Sequence, residues 1–110
     1  MIKSPEEVSQ FLSDIYEKQF GGKKRGRYRI SRINLRSLSG RKVLQESIVE
    51  AITYRALEDF GLVITDLGDE FSVIEIDVLR NYRAVPKSVL NMFIDASDEE
   101  YEVSNEDDDE

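Results

Sequence analysis

Residues 30–40 read Ile30-Ser31-Arg32-Ile33-Asn34-Leu35-Arg36-Ser37-Leu38-Ser39-Gly40, and they hold a short helix with both ends marked. The Ser31 hydroxyl can accept from an otherwise orphan amide. Ile30 just before it and Leu35 four residues into the helix are spaced as a hydrophobic staple. Gly40 supplies the left-handed residue that closes the helix after about two turns. The stretch from Arg41 to Phe60 follows at once with the strongest helical periodicity in the chain: Leu44, Ile48, Ala51, Ile52, Ala56, Leu57 and Phe60 make a broad apolar face, and Gly61 is its stop. This segment is predicted to be the central core helix.

Upstream, Ser4-Pro5-Glu6-Glu7 has the form of a capping box with proline at the first helical position. Val8, Phe11, Leu12, Ile15 and Tyr16 continue it as one apolar face, and Gly21-Gly22 is read as its end. Gly22 to Gly26 reads as a basic, flexible linker. Arg27-Tyr28-Arg29-Ile30 alternates polar with apolar residues as a short strand does, with Tyr28 half-buried against the first helix. Downstream, Leu62 to Thr65 and Phe71 to Ile76 are β-branched-rich runs joined by Asp66-Leu67-Gly68-Asp69-Glu70, which predicts an antiparallel hairpin. Asp77 to Arg83 is expected to form a helical turn interrupted at Val85-Pro86. Lys87 to Ile94 is expected to form a last helix packed on the body through Val89, Leu90, Phe93 and Ile94. The class is therefore α+β, with residues 1–94 as one domain.

Charge is distributed unevenly. The 110 residues carry a formal net charge of -8, yet residues 95–110 alone hold ten Asp or Glu and no base. Mutual repulsion and scarce apolar area predict a disordered acidic tail there. By contrast, Lys23, Lys24, Arg25, Arg27, Arg29, Arg32, Arg36, Arg41 and Lys42 occupy a window of 20 residues with no acid, which points to a nucleic-acid or other polyanion surface. The absence of Cys and His removes disulfides, zinc fingers and thiol or imidazole catalysis. No run of apolar residues is long enough for a membrane span, and the N-terminus lacks a secretory pattern, so a cytoplasmic protein is expected.

The order of helix, short strand, short helix, Gly-bearing turn, long helix and hairpin resembles a winged helix domain, a helix-turn-helix variant, over Ser4 to about Ile76. Residues 30–40 are similar to its helix and turn, Arg41 to Phe60 to the second helix of the pair, and Leu62 to Ile76 to its wing. The resemblance implies binding to double-stranded DNA without catalysis, as a small transcriptional regulator or accessory factor acting as a homodimer. It also implies contacts to bases from Arg41, Lys42 and Gln45 at the start of the long helix, with Arg36, Ser37 and Ser39 before them. Lys23, Lys24, Arg25, Arg27, Arg29 and Arg32 complete the candidate DNA-binding set. Two departures stand out: Glu46 and Glu50 share the presumed reading surface, and Asp66, Asp69 and Glu70 occupy the wing tip, where phosphate contact calls for Lys or Arg.

Other motifs read as structural. Gly21 and Gly26 have P-loop spacing, but Arg27-Tyr28 replaces the Lys-Ser/Thr pair that holds phosphate and magnesium. Glu75 and Asp77 fall on one side of an extended segment, where a strand end with Asp77 capping the next turn accounts for them better than a metal does. No cofactor, metal or catalytic residue is expected. The alternative to DNA binding is a protein-interaction module or DNA mimic that presents its acidic wing and tail to a basic partner protein. The tail itself has two readings: first a solvated end that aids solubility, and second an internal competitor that folds back on the basic window, with Tyr101 and Val103 as anchors.

Overall fold

The computed structural model describes residues 1–94; the tail expectation for residues 95–110 lies outside the described residues. Their fold is α+β, and in chain order the elements are α1 (Pro5–Tyr16), β1 (Tyr28–Ser31), α2 (Arg32–Ser39), α3 (Glu46–Phe60), β2 (Leu62–Asp66), β3 (Glu70–Glu75), α4 (Ile76–Leu79) and α5 (Lys87–Leu90). The strands form one antiparallel sheet in the order β1-β3-β2, so the strand that precedes α2 adds to the far side of the hairpin. Ile30 is paired with Phe71, and Ile64 with Val73.

Local hydrogen bonding explains the helix starts. In α1, Ser4 Oγ accepts from the Glu7 amide at 3.1 Å while Glu7 Oε1 accepts from the Ser4 amide at 2.9 Å, which is the reciprocal box written in the sequence. In α2, Ser31 Oγ accepts from the Asn34 amide at 3.0 Å, and Gly40 closes the helix at φ 70°. One inner face of the sheet meets the helices. Leu62, Ile64, Phe71 and Val73 pack against Val8, Leu12 and Tyr16 of α1, Leu35 of α2, and Val49, Ile52 and Ala56 of α3. Burial of these apolar side chains away from water is the main source of the fold's stability.

Four expectations are corrected. First, the long helix begins at Glu46, not Arg41. Gly40 turns the chain, the Arg41 amide donates back to the Arg36 carbonyl at 3.3 Å, and residues 41–45 form an irregular connection that brings Leu44 against the core. Gln45 is the extended N-cap with no side-chain cap bond, so no capping residue marked the true start. Val49 takes the core position expected of Leu57, which is 40% exposed.

Second, α1 ends at Tyr16, before the glycine pair. Gly21 and Gly22 instead turn a tight loop in which Phe20 and Lys23 exchange backbone hydrogen bonds of 2.9 and 3.0 Å. Third, the basic linker is tied down, because the Gly26 amide donates to the Tyr16 carbonyl at 3.1 Å. Fourth, α5 does not pack on the body: Val85, Met92 and Phe93 are 68%, 78% and 79% exposed, and Val89 and Leu90 are also exposed. Pro86 extends the backbone between α4 and α5, and the resulting arm stands away from the core. Among the described residues no helix is long and apolar enough to cross a membrane.

Gly40 is constrained twice. Its left-handed backbone disfavours a side chain, and a Cβ would collide with the Met1 carbonyl group, which lies there because the Lys3 amide donates to the Ser39 carbonyl at 2.9 Å. Gly40→Ala is expected to destabilise the fold by at least about 1–2 kcal/mol from backbone strain alone, read as a lower urea midpoint at unchanged slope. An unaltered midpoint would show that α2 closes in another way.

Candidate nucleic-acid interface

The basic window divides into cations that hold the fold and cations that remain free. Arg32, the first residue of α2, belongs to the first kind. Its Nη2 donates to both carboxylate oxygens of Asp66 at 2.7 Å, and its Nε donates to the Gly68 carbonyl at 2.7 Å. The Arg32 amide donates to the Asp69 carbonyl at 2.8 Å. The guanidinium also lies 4.6 Å from the centroid of the fully buried Phe71 ring, a cation–π arrangement. The hairpin tip is thus fastened to the start of α2. Asp66 is held below the usual carboxylate range chiefly by the Arg32 hydrogen bonds, with help from the Gly68 amide at 2.9 Å.

Arg25 makes the second clamp. Its Nε and Nη2 bind Glu17 at 2.8 to 3.1 Å, while Nη1 and Nη2 bind Glu75 at 2.9 and 3.1 Å. Its guanidinium lies 5.0 Å from the centroid of the Tyr16 ring. This joins the end of α1, the basic loop and the end of β3. Both carboxylates are held low by the Arg25 hydrogen bonds, and the guanidinium is driven still more firmly to its charged form. Glu75 is therefore engaged by an arginine, and Asp77 lies 3.3 Å from Arg80; Glu75, not Asp77, is the N-cap of α4. Tyr28 is committed as well. Its hydroxyl donates to the Leu12 carbonyl at 2.7 Å, its ring lies 6.1 Å from that of Tyr16, and burial pushes its phenol up.

Of the other candidates, Ser39 is fully buried and donates to the Arg36 carbonyl at 2.7 Å, so it faces no ligand. Arg29 is 72% exposed on the side chain and meets Glu70 at 3.3 Å, a loose surface pair. Lys23, Lys24, Arg27, Arg36, Arg41 and Lys42 have no carboxylate within ion-pair distance among the described residues. They fall into two groups joined by β1. Lys23 and Arg27 line a shallow pocket of about 380 Å³ with Lys18, Arg29 and Glu70. Arg36 and Lys42 line a groove of about 640 Å³ between α2 and the α2–α3 connection, with Asp69 at the hairpin side.

Arg41 and Gln45 lie in a neighbouring hollow of about 620 Å³ that shares Lys42 and Val43 with the groove. Arg41 Nη1 is enclosed without an acceptor, leaving a guanidinium donor unspent. Ser37 is exposed on α2. Because α3 starts at Glu46, Arg41, Lys42 and Gln45 sit before the helix and not on its first turns. The solvent face of α3 carries Glu46, Ser47, Glu50, Tyr54, Leu57 and Glu58. Sequence reasoning missed the apolar wall of the groove: Ile33 and Val43 are 66% and 65% exposed. Ile33 could have been found, since it lies off the staple face of residues 30–40; Val43 depended on where α3 begins.

Among the described residues these cations have no carboxylate competing for them, and two of the hairpin acids, Asp66 and Glu70, are paired with Arg32 and Arg29, so they oppose an anion less than their sequence positions implied. The Arg32 clamp has an acid limb. Because the folded pKa of Asp66 lies below its unfolded value, its contribution is present above about pH 4 and is lost as pH falls through the depressed folded value. Arg32→Ala is expected to lower the melting temperature at neutral pH and to flatten the fall in stability below pH 4; parallel acid profiles for variant and wild type would overturn this role. Comparison with family models, curated proteins and solved structures returned no match, so the functional reading rests on the geometry.

Proposed function

We propose that this chain is a non-catalytic DNA-binding domain of the winged helix type, serving as a small transcriptional regulator or accessory factor. The element order and the β1-β3-β2 sheet suit that architecture: β1 enters α2 directly, α2 turns into α3, and β2 and β3 form the hairpin. The observation that carries the reading is the set of six cations, Lys23, Lys24, Arg27, Arg36, Arg41 and Lys42, left without carboxylate partners among the described residues. In this account they meet backbone phosphates. A face of α3 that leads with Glu46 and Glu50 gives little scope for arginine readout of bases, so affinity is mainly electrostatic. The exposed arm residues Val85, Met92 and Phe93 offer a surface for two-fold pairing on duplex DNA.

A second reading has its own support. The outward face of α3 presents Tyr54 and Leu57 among Glu50 and Glu58, a surface suited to a basic protein partner. Acids of the hairpin contribute less to it, because Asp66 and Glu70 are paired with Arg32 and Arg29.

Titration of random duplex DNA across a salt series separates the two. With about four to six phosphates neutralised, the slope of log K against log salt is expected near -4 to -5, and Arg36→Ala with Lys42→Ala should flatten it by about 2. Measured stoichiometry of the complex reports the pairing. A salt-independent interaction, or none at low salt, would overturn the DNA reading and favour the acidic face of α3.

A further inference from the structure

The groove between α2 and the α2–α3 connection has two features that phosphate binding alone does not explain. Its cationic side is Arg36 and Lys42, but its wall is Ile33 and Val43, both largely exposed. A ligand that satisfies both must carry negative charge and apolar side chains together. The chain itself supplies one, since residues 95–110 contain ten carboxylates, with Tyr101 and Val103 among them. We propose that this acidic segment docks in the groove of its own chain, its carboxylates meeting Arg36 and Lys42 and Tyr101 or Val103 covering Ile33 and Val43.

The aliphatic wall, and not net charge, selects this groove over the pocket near Lys23. That pocket leaves Lys18, Lys23 and Arg27 without a carboxylate partner among the described residues, its Glu70 being paired with Arg29, but its exposed apolar side chain is the aromatic Phe20 and it has no aliphatic wall. In the groove, Arg32 is the paired cation and Asp69 the lone acid of the lining. Tyr101 and Val103 follow Ile94 by seven and nine residues, a reach of roughly 25–30 Å, about twice the radius of gyration of about 12 Å for a domain of this size. Tethering sets an effective concentration on the order of millimolar, so a contact weak between separate molecules is still populated within one chain. Screening over about 8 Å at physiological salt keeps it reversible. Docking needs no DNA. Its regulatory consequence, competition with phosphates for Arg36 and Lys42, rests on the DNA-binding reading.

The chain has no cysteine, so Ser104→Cys in the full-length protein creates a unique thiol for a nitroxide spin label. At low salt, the label is expected to broaden the amide resonances of Ile33, Arg36, Lys42 and Val43 by about twofold or more if the tether holds the segment near half occupancy. Those of Lys23, Lys24 and Arg27 should keep their intensity. Raising the salt, or introducing Arg36→Glu with Lys42→Glu, should restore the broadened signals. A mixture of spin-labelled protein with unlabelled, isotope-enriched protein should show no broadening. Signal loss in that mixture would overturn docking within one chain in favour of a second copy. Absent broadening, broadening indifferent to charge reversal and salt, or broadening centred on Lys23 to Arg27 would each overturn the proposed site. Since no DNA is added, failure here is distinct from failure of the DNA-binding reading.

Discussion

Arg32 governs the geometry on which the rest depends. Ser31 ends β1 and caps α2 with one side chain, so no linker separates strand from helix. The following guanidinium then fixes α2 to the hairpin through Asp66, Gly68 and the face of Phe71. Phe71 lies in β3, the central strand of the sheet. One residue therefore links the start of α2, the tip of the hairpin and the middle of the core. With Nη2 on both Asp66 oxygens and Nε on the Gly68 carbonyl, the guanidinium is held through two of its nitrogens by two residues of the hairpin tip, so it sets an orientation and not only a proximity.

That constraint changes the meaning of charge along the chain. In linear order the window from Lys23 to Lys42 is acid-free and the hairpin tip is acidic, as if one attracts phosphate and the other repels it. In three dimensions they partly neutralise each other through Arg32–Asp66 and Arg29–Glu70, while Arg25 is spent on Glu17 and Glu75. What remains for a ligand is smaller and better defined: Arg36, Arg41 and Lys42 about the α2–α3 connection, and Lys23, Lys24 and Arg27 in the loop before β1. The same hairpin closure places Asp69 beside the groove and limits how negative a ligand can lie there without meeting one carboxylate.

What was legible in the sequence was what local chemistry determines. The capping box at Ser4, the cap at Ser31, the left-handed Gly40 and Gly61 and the hairpin at Gly68 each involve groups within a few residues of one another, and all appear in the structure. The α3 start was not legible, because Leu44 and Ile48 suit the core whether or not residues 41–45 are helical, and Gln45 caps without a side-chain bond. Nor could the site be sorted in advance. Asp66 lies 34 residues from Arg32 and Glu75 lies 50 from Arg25, and burial of Ser39 follows from the packing of α2, not from its own neighbours. The arm failed for the opposite reason: Val89, Leu90 and Phe93 have helical spacing, yet spacing does not say what an apolar face will meet.

The proposed DNA binding requires that the clamps leave a specific set of cations without carboxylate partners while the hairpin tip stays fastened to α2. Amide chemical-shift mapping of the full-length protein with a short random-sequence duplex tests it most directly. Shifts should concentrate at Lys23, Lys24, Arg27, Arg36, Arg41 and Lys42, with Asp66 to Asp69 nearly still. Shifts confined to the solvent face of α3, from Glu46 to Glu58, or a hairpin tip that moves while Arg36 and Lys42 do not, would contradict the account.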